Sequence, residues 1–380
     1  MEPKKKRSKN VITKHIVLTG GHAATTAISV IEELLRRVDG GVFGDIAWIG
    51  AKHAMEGNKT STLESLVIPK LGVKSFHIVS GRLQKRFSIW SIPSLFRIPL
   101  GFIHAWALLG RLKPDIILSF GGYAAFPVVV IAKLKGVPIV IHEQTLVFGR
   151  TNKLTSFLAT KISLARKESL RFFPAEKSVV VGNPIMTQIM EVTPKKTISK
   201  PPNLFVFCGS RGSQSVNSLI EPILVKLLKD FVVIHQTGEL DFLKFTQIKA
   251  SLPKLLEGRY EIFSLIDPMH IDNVYRQADI VIGRAGANTV AEIIAIKRPS
   301  ILIPIPWSHM DEQKKNAELA QKYKIAEVLD QNTTTPEELY KTILSVQKNW
   351  LNMVNASIHK VSPDIEASKK LVDLLEKVVT

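Results

Sequence analysis

The sequence predicts an α/β protein built from two similar domains whose parallel sheets face each other across a cleft. Runs of apolar, β-branched residues that end in a glycine turn and lead into a helix are typical of doubly wound α/β domains. Such a start occurs twice, at Lys14–His22 and again at Leu204–Ser213. Between the two halves, residues 191–203 are polar, basic and rich in proline, which is the composition of an inter-domain linker.

The chain divides into segments of different character. The first ten residues are basic and carry no apolar stretch, so they are not a secretory signal. A nuclear-localisation patch, a lipid-contacting tail and a solvated, disordered end all fit them, and the last is the default. The segments are a basic tail at 1–10, a first domain at 11–190, the linker at 191–203, a second domain at 204–361, and a terminal helix at 362–380 that we expect to pack back toward the first domain.

Composition narrows the class of protein. The net charge is +18, from 51 Lys and Arg against 33 Asp and Glu, so anionic partners are expected: nucleic acid, an anionic membrane surface or a phosphorylated substrate. Cys208 is the only cysteine, which excludes an internal disulfide framework and a thiolate metal cluster. No segment qualifies as a transmembrane helix, because the most apolar candidate, 89–109, contains Pro93, Arg97 and Pro99.

The stretch 279–317 predicts a strand, a helix and a second strand. Ile280–Ile282 and Ser300–Ile305 are the two apolar runs, and Thr289-Val-Ala-Glu292 between them has the spacing of a capping box that opens a helix. Ligands of open parallel sheets bind beyond the carboxyl ends of the strands, and a helix N-terminus there suits a diphosphate. The alternative for Glu292 is that it merely caps its helix.

A second unusual stretch, 81–111, mixes basic and aromatic residues. One interpretation is an interfacial patch in which aromatic rings dip to the headgroup boundary while cations meet anionic lipid. The other is a core helix with a solvated basic face. Nucleic acid competes for the same charge, but no recognised binding motif is present. The residues of the candidate patch are Lys85, Arg86, Phe87, Trp90, Phe96, Arg97 and Trp106.

Taken together, the short motifs resemble the MurG family of bacterial N-acetylglucosaminyltransferases. The resemblance runs in order from about Lys14 to the terminal helix, and it implies a GT-B fold of two Rossmann-like domains. The motifs are Thr19-Gly-Gly-His22, Phe120-Gly-Gly-Tyr123, His142-Glu-Gln144, Gly182-Asn-Pro184, Gly209-Ser210-x-Gly212, His235-Gln-Thr-Gly238, Ile266-Asp267, Arg284-x-Gly286-x-x-Thr289-x-x-Glu292 and Asp311-x-Gln313-x-x-Asn316-Ala317.

The resemblance also implies a donor site for UDP-N-acetylglucosamine (UDP-GlcNAc), held mainly by the second domain. Glu292 would bind the ribose, Ile266 would line the uracil pocket, and Ser210 with the 287–291 backbone would hold the diphosphate. Gln313 would meet the sugar hydroxyls. The implied substrate-binding residues are Thr19, Gly20, Gly21, Thr145, Ser210, Ile266, Arg284, Ala287, Asn288, Thr289, Val290, Ala291, Glu292, Gln313 and Asn316.

The sequence departs from the family pattern at several of these motifs. Val17-Leu18 stand where the family usually has Gly-Gly, so half of that loop loses flexibility. Thr145 replaces Asn, and Met186 replaces an Arg expected near the diphosphate. Arg211 replaces a usual Gln and could supply the missing cation, while Cys208 takes a glycine position.

If the resemblance holds, the acceptor hydroxyl attacks the anomeric carbon with inversion and UDP leaves. A base must take the hydroxyl proton, and His22 on its glycine turn is the first candidate, although it could simply shape the loop. His142 and Glu143 are the second candidates. Tyr123 either positions the acceptor or packs under its turn, and Arg284 would meet leaving-group charge. There is no Asp-x-Asp and no His/Cys ligand spacing, so we expect chemistry without a metal or other cofactor.

The implied reaction moves N-acetylglucosamine from UDP-GlcNAc to the muramoyl sugar of a polyprenyl-diphosphate-linked muramoyl-peptide, converting lipid I to lipid II. That places the chain in peptidoglycan synthesis, and so in cell-wall growth, cell shape and division, as a peripheral protein on the cytoplasmic face of the membrane. The expected partners are the donor, the lipid-linked acceptor and an anionic membrane surface, without nucleic acid. Two alternatives stay open: an enzyme like UDP-GlcNAc 2-epimerase, and a non-catalytic GT-B protein that binds lipid or other proteins.

Overall fold

The computed structural model describes residues 13–21, 23–38, 40–53, 61–79, 81, 91–207, 209 and 212–380, with the backbone alone at 91–96. The predictions for His22, Ser210, Arg211 and Cys208 lie outside this part of the chain. So do those for the basic tail, for four residues of the candidate membrane patch and for the Phe96 side chain. The four patch residues are Lys85, Arg86, Phe87 and Trp90.

The first domain is a parallel sheet of seven strands with helices on both faces. Its order, β3-β2-β1-β4-β5-β6-β7, reverses direction between β1 and β4, which is the switch point where open α/β sheets bind ligands. The strands are β1 Lys14–Gly20, β2 Phe43–Gly50, β3 Lys74–His77, β4 Ile116–Ser119, β5 Ile139–Glu143, β6 Lys161–Leu164 and β7 Ser178–Val180. The helices are α1 Ala24–Arg36, α2 Leu63–Val67, α3 Ser91–Leu112, α4 Ala125–Leu134, α5 Arg150–Thr155 and α6 Thr187–Met190.

The second domain repeats this design with six parallel strands in the order β10-β9-β8-β11-β12-β13. Its switch point lies between β8 and β11, the two strands that precede the second glycine turn and the Arg284 loop. The strands are β8 Asn203–Phe207, β9 Val232–Gln236, β10 Tyr260–Phe263, β11 Ile280–Gly283, β12 Ser300–Leu302 and β13 Ala326–Val328. The helices are α7 Gln214–Ile220, α8 Leu224–Asp230, α9 Glu239–Ala250, α10 Lys254–Glu257, α11 Ile271–Gln277, α12 Ala287–Ile296, α13 Glu312–Lys322 and α14 Pro336–Ile358.

The last helix, α15 Ala367–Val379, crosses back to the first domain and packs against α1. Leu371 and Leu375 are buried in the first domain's core, and Arg37 on the end of α1 is paired with Asp373 at 2.7 Å. The helix begins later than the predicted 362, because Asp364 is drawn into a buried ion pair instead of a first turn.

Two departures from the family pattern belong to the core. Val17 and Leu18 are buried residues of β1 that pair with both β2 and β4, so the glycine turn begins only at Gly20. Met186 is buried in a core cluster drawn from both domains, which includes Ile28 of α1 and Val290 of α12. A cation at position 186 would be costly to bury there, and methionine fits an irregular apolar gap.

Three further predicted boundaries were wrong. The second strand of the 279–317 unit ends at Leu302 instead of Ile305, because Pro304 has no N–H to continue the ladder. The linker ends before residue 203, since Asn203 already begins β8. The capping box is absent: α12 begins at Ala287 after Gly286 without a side-chain cap, so Thr289 and Glu292 lie inside the helix.

No helix in the described part of the chain combines the length and the hydropathy of a transmembrane span. The longest apolar one in the first domain is α3, which contains Pro99.

Candidate active site between the domains

The carboxyl edges of the two sheets meet each other. Asn288, at the start of α12, donates from Nδ2 to Thr25 Oγ1 of α1 at 2.6 Å. The rings of Phe148 and His309 meet edge to face with centroids 5.4 Å apart, which joins the loop after β5 to the loop after β12. Lys70 and Asp267 form a salt bridge of 3.0 Å further out. Every glycine turn that the sequence singles out follows the carboxyl end of a strand and so lies on this side.

Glycine is required where two turns of the first domain touch. Gly21 N donates to Gly121 O at 3.0 Å, and Gly122 has a φ of +86°. A Cβ on Gly122 would lie 3.0 Å from Gly21 N, a tight contact added to a backbone conformation that side chains rarely adopt. The same holds at Gly212 in the second domain, where φ is +70° and a Cβ would lie 2.2 Å from Thr237 O. These turns therefore present bare backbone to whatever fills the cleft.

The N-terminus of α12 has the features of an anion-binding site. Gly286 precedes the helix in an extended conformation and provides no side-chain cap. The first N–H groups of a helix have no intrahelical acceptor, and the positive end of the helix dipole lies at the same place. Ala287, Asn288 and Thr289 supply these groups, while Val290 and Ala291 are buried in the helix behind them.

Glu292 lies one turn further along α12, with only 6% of its surface exposed. Tyr275 Oη of α11 donates to Glu292 Oε2 at 2.9 Å, and burial raises the pKa of Glu292 to about 7. The interpretation of Glu292 as a helix cap was wrong, because the residue sits well inside the helix. Tyr275 carried no sequence signal, since an aromatic residue in an amphipathic helix looks like core.

Gln236 joins the two loops that flank the predicted uracil pocket. Its Oε1 accepts from Ile266 N at 2.8 Å, and its Nε2 donates to Gly209 O at 2.6 Å. Both Gln236 and Ile266 are buried. His235, the residue before, is enclosed between Tyr260 and Asn217, and burial lowers its pKa to about 3. The His235-Gln-Thr-Gly238 motif therefore builds the walls of the site.

Arg284 is buried with its donors directed to protein acceptors. Nη1 donates to Ile303 O at 2.8 Å and Nε to Ser213 Oγ at 3.1 Å, while Nη2 contacts Ser215 Oγ and Gln331 Oε1. Arg284 thus fixes the start of α7 beside the second glycine turn. It contributes positive potential to this edge from below the surface.

Gln313 and Asn316 also support the loops around the cleft. Gln313 Oε1 accepts from Ile305 N at 3.0 Å, which leaves its amide NH₂ as the group that can donate to a ligand. Asn316 is buried and donates from Nδ2 to Ala285 O at 3.1 Å, so it ties α13 to the loop after β11.

Two of the first domain's candidate residues, Thr19 and Tyr123, lie near the ends of neighbouring strands. Thr19 is fully buried at the end of β1, and its Oγ1 has no partner within the described residues, next to Gly20 and Gly21. Tyr123 is partly buried against the core and donates from Oη to His53 O at 3.2 Å, a contact of the packing kind.

His142 and Glu143 are both enclosed at the end of β5. His142 Nδ1 lies 2.9 Å from Ser163 Oγ, and burial lowers its pKa to about 3. Glu143 accepts from Thr145 N and Oγ1, Gly149 N and Asn152 Nδ2 at 2.7–3.1 Å. Thr145 therefore uses its hydroxyl to hold Glu143. This network shapes the loop that meets the second domain.

Glu312, which the sequence interpretation passed over, lies near enough to the first domain for the charge of Glu143 to affect it. Burial raises the pKa of Glu312 to about 7, the negative charge of Glu143 adds to the effect, and Asn316 opposes it by hydrogen bonding. Its only signal was a carboxylate beside Asp311 in the last motif. Within the described part of the chain, no group of three His, Cys, Asp or Glu is arranged to hold a metal.

Comparison with known proteins agrees with this architecture. The N-terminal domain of glycosyltransferase family 28 matches residues 19–164, and the C-terminal domain of that family matches residues 203–375. A protein of Geobacter metallireducens is 32% identical over 333 residues, covering 86% of each chain. It is named UDP-N-acetylglucosamine–N-acetylmuramyl-(pentapeptide) pyrophosphoryl-undecaprenol N-acetylglucosamine transferase. The chain belongs to the MurG family.

Solved structures agree with the family and establish the GT-B fold. The crystal structure of Acinetobacter baumannii MurG superposes with a TM-score of 0.68 at 25% identity, covering 96% of this chain and 99% of that one. UDP-GlcNAc 2-epimerase of Neisseria meningitidis gives 0.61 at 15% identity. At that identity the likeness shows the fold alone, so the epimerase alternative gains no support from it.

Proposed function

We propose that this protein transfers N-acetylglucosamine from UDP-GlcNAc to the muramoyl sugar of a polyprenyl-diphosphate-linked muramoyl-peptide, converting lipid I to lipid II. The observation that carries the proposal is similarity over nearly the whole chain to proteins named for that transfer. A Thermoanaerobacter relative with the same name is 30% identical over 95% of this chain and 97% of its own. The Neisseria meningitidis epimerase shares the fold over a similar length at only 15% identity, so it is the sequence identity over the full length that favours the transfer.

The donor occupies the second domain's side of the cleft. The uncapped N-terminus of α12 receives the diphosphate, because its N–H groups and dipole both favour negative charge. Glu292 accepts from the ribose hydroxyls, Ile266 packs against the uracil, and the free amide end of Gln313 donates to the sugar. Ser210 joins them from the second glycine turn.

The acceptor hydroxyl approaches from the first domain, and His22 takes its proton. Support comes from the alternatives, because His142 is buried with its pKa lowered to about 3, which makes it a weak base. Glu143 is engaged in hydrogen bonds that hold its own loop. His22 follows Gly21 in the sequence, and Gly21 lies just beyond the carboxyl end of β1. Arg284 and the α12 dipole stabilise the departing UDP.

The protein works as a peripheral protein on the anionic cytoplasmic face of the membrane. Ile103 and Trp106 on α3 are 67% and 51% exposed, which is unusual for large apolar side chains of one helix face. Lys135 Nζ lies over the Trp106 ring, 3.9 Å from its centroid. Rings with neighbouring cations suit the headgroup region, and Arg97 lies on the same helix. We propose no role for nucleic acid, since the diphosphate and lipid account for the positive charge.

Product analysis with labelled UDP-GlcNAc tests the proposal. Wild-type protein with the lipid-linked acceptor should move label into the lipid fraction, while release of free N-acetylmannosamine would identify an epimerase instead. If neither product forms with both substrates present, the result would favour the non-catalytic alternative. Glu312→Gln, which leaves the donor residues intact, should retain donor binding and serves as a matched control for Glu292→Gln.

A further inference from the structure

The side chain of Asn288 is engaged by the first domain through both of its polar atoms. Nδ2 donates to Thr25 Oγ1 at 2.6 Å, and Oδ1 accepts from Asn183 Nδ2 at 2.9 Å. Thr26 Oγ1 lies 3.1 Å from the same Oδ1. An amide can donate and accept at once, so this one residue of α12 joins two separate parts of the first domain.

The partners of Asn288 are themselves held firmly. Asn183 is fully buried, and its N–H donates to Asp364 Oδ1 at 2.7 Å. Asp364 in turn receives both Nη groups of buried Arg166. Asn183 is therefore anchored to a buried, bidentate ion pair, which is among the stronger polar contacts in proteins.

Thr25 and Thr26 form the first turn of α1, immediately beyond the glycine turn that ends in His22. Thr26 Oγ1 also lies 3.1 Å from Gln144 Oε1, in the loop after β5. Its single hydroxyl proton is shared between that oxygen and Asn288 Oδ1. Asn288 thus contacts the helix that follows the His22 turn directly, and it is linked to the loop after β5 through Thr26.

Asn288 lies at the end of α12 where we propose that the donor binds. The backbone N–H groups at the start of α12 are the ones that we propose to hold the diphosphate, and Asn288 is the second residue of that helix. Its side chain therefore sets the distance between the donor and the acceptor-side loops. A misplacement of about 1 Å can cost about 10²-fold in rate, so this distance is worth fixing.

We infer that the Asn288 side chain is a positioning residue that fastens the donor-binding helix to the first domain in the reacting arrangement, and that it is not a donor ligand. This inference rests on the proposed transfer reaction. Loss of the side chain leaves the backbone N–H groups of α12 in place. It removes the side-chain hydrogen bonds that join α12 to Thr25, Thr26 and Asn183, so the rate should fall while the donor still binds.

The test compares Asn288→Leu, which has similar volume and no polar atoms, with Thr25→Val, which removes only the accepting hydroxyl. We expect kcat to fall about tenfold or more in Asn288→Leu, with the calorimetric Kd for UDP-GlcNAc within about threefold of wild type. In Thr25→Val, kcat should fall by a smaller factor. In the double variant, the fall in kcat should be smaller than the product of the two single-variant factors, because both substitutions remove the same hydrogen bond. Asn355→Leu, the same substitution on the exposed face of α14, should change neither quantity.

Small-angle scattering of the same proteins with saturating UDP-GlcNAc supplies a readout without chemistry. A larger radius of gyration in Asn288→Leu supports the inference, and an unchanged one with unchanged kcat overturns it. Donor Kd weakened tenfold or more at unchanged kcat also overturns it, since Asn288 would then be a ligand. If the wild-type protein transfers no label to lipid, the proposed function is wrong, and the scattering comparison alone then tests whether Asn288 joins the two domains. If Asn288→Leu does not fold, Thr25→Val carries both measurements.

Discussion

Replacing Glu292 with Gln should stabilise the protein at neutral pH and above. The Glu292 carboxyl is buried, and its pKa is raised from 4.5 to about 7. The folded protein therefore binds more protons than the unfolded chain between those values, and the free energy of unfolding falls as pH rises through that window. The full effect corresponds to about 3 kcal/mol, reached above pH 7. Gln has nearly the same shape and can still accept from Tyr275 Oη.

Urea denaturation of wild type and Glu292→Gln at about pH 4, below both pKa values, and at about pH 8 measures this difference. The two proteins should be nearly equal at the lower pH, and the variant should be more stable by about 2–3 kcal/mol at the higher pH. Glu318→Gln, on the exposed face of α13, is the control and should show no such pH-dependent gain. Equal stabilities of wild type and Glu292→Gln at both pH values would refute the inference that burial raises the pKa of Glu292.

The same substitution should weaken UDP-GlcNAc binding. A hydrogen bond from a ribose hydroxyl to a charged carboxylate is worth about 1.5–3 kcal/mol, so calorimetry should give a Kd about tenfold or more higher for Glu292→Gln. Wild-type affinity should rise with pH through about 7, as Glu292 ionises, and the variant should lack that rise. A variant that is more stable but binds the donor equally well would remove Glu292 from the site.

Three further perturbations have defined outcomes. Arg166→Met leaves Asp364 buried without its partner, so the free energy of unfolding measured in urea should fall by about 3–5 kcal/mol. Adding Asp364→Asn should recover part of that loss. A loss under about 1 kcal/mol would contradict the buried ion pair. Trp106→Ala should weaken flotation with anionic vesicles more than with neutral ones, and binding of the wild-type protein to anionic vesicles should fall as salt rises. Equal flotation of the variant and the wild type would count against the membrane patch. His22→Gln should lower kcat by about 10²–10⁴ with donor Kd little changed, whereas near-normal kcat would make His22 a loop-shaping residue.

The parallel α/β architecture was predictable from the sequence because it depends on local patterns. Buried parallel strands read as continuous apolar runs, and β11 was predicted to within one residue from Ile280–Ile282. Glycine turns were visible because positive φ or close approach demands glycine, as at Gly122 and Gly212. Strand and helix ends were less accurate, since a capping box can be matched by chance, as it was at Thr289 and Glu292.

The roles of individual polar residues were decided only by the tertiary structure. Their chemistry depends on burial and on partners distant in sequence: Glu292 on Tyr275, Glu312 on Glu143, and Asn288 on Thr25 and Asn183. The sequence by itself determined two parallel-sheet domains, where their glycine turns fall and which residues can do chemistry. Which side chains reach a ligand and which hold the domains together follows from desolvation and hydrogen bonding across the fold, which no local pattern records.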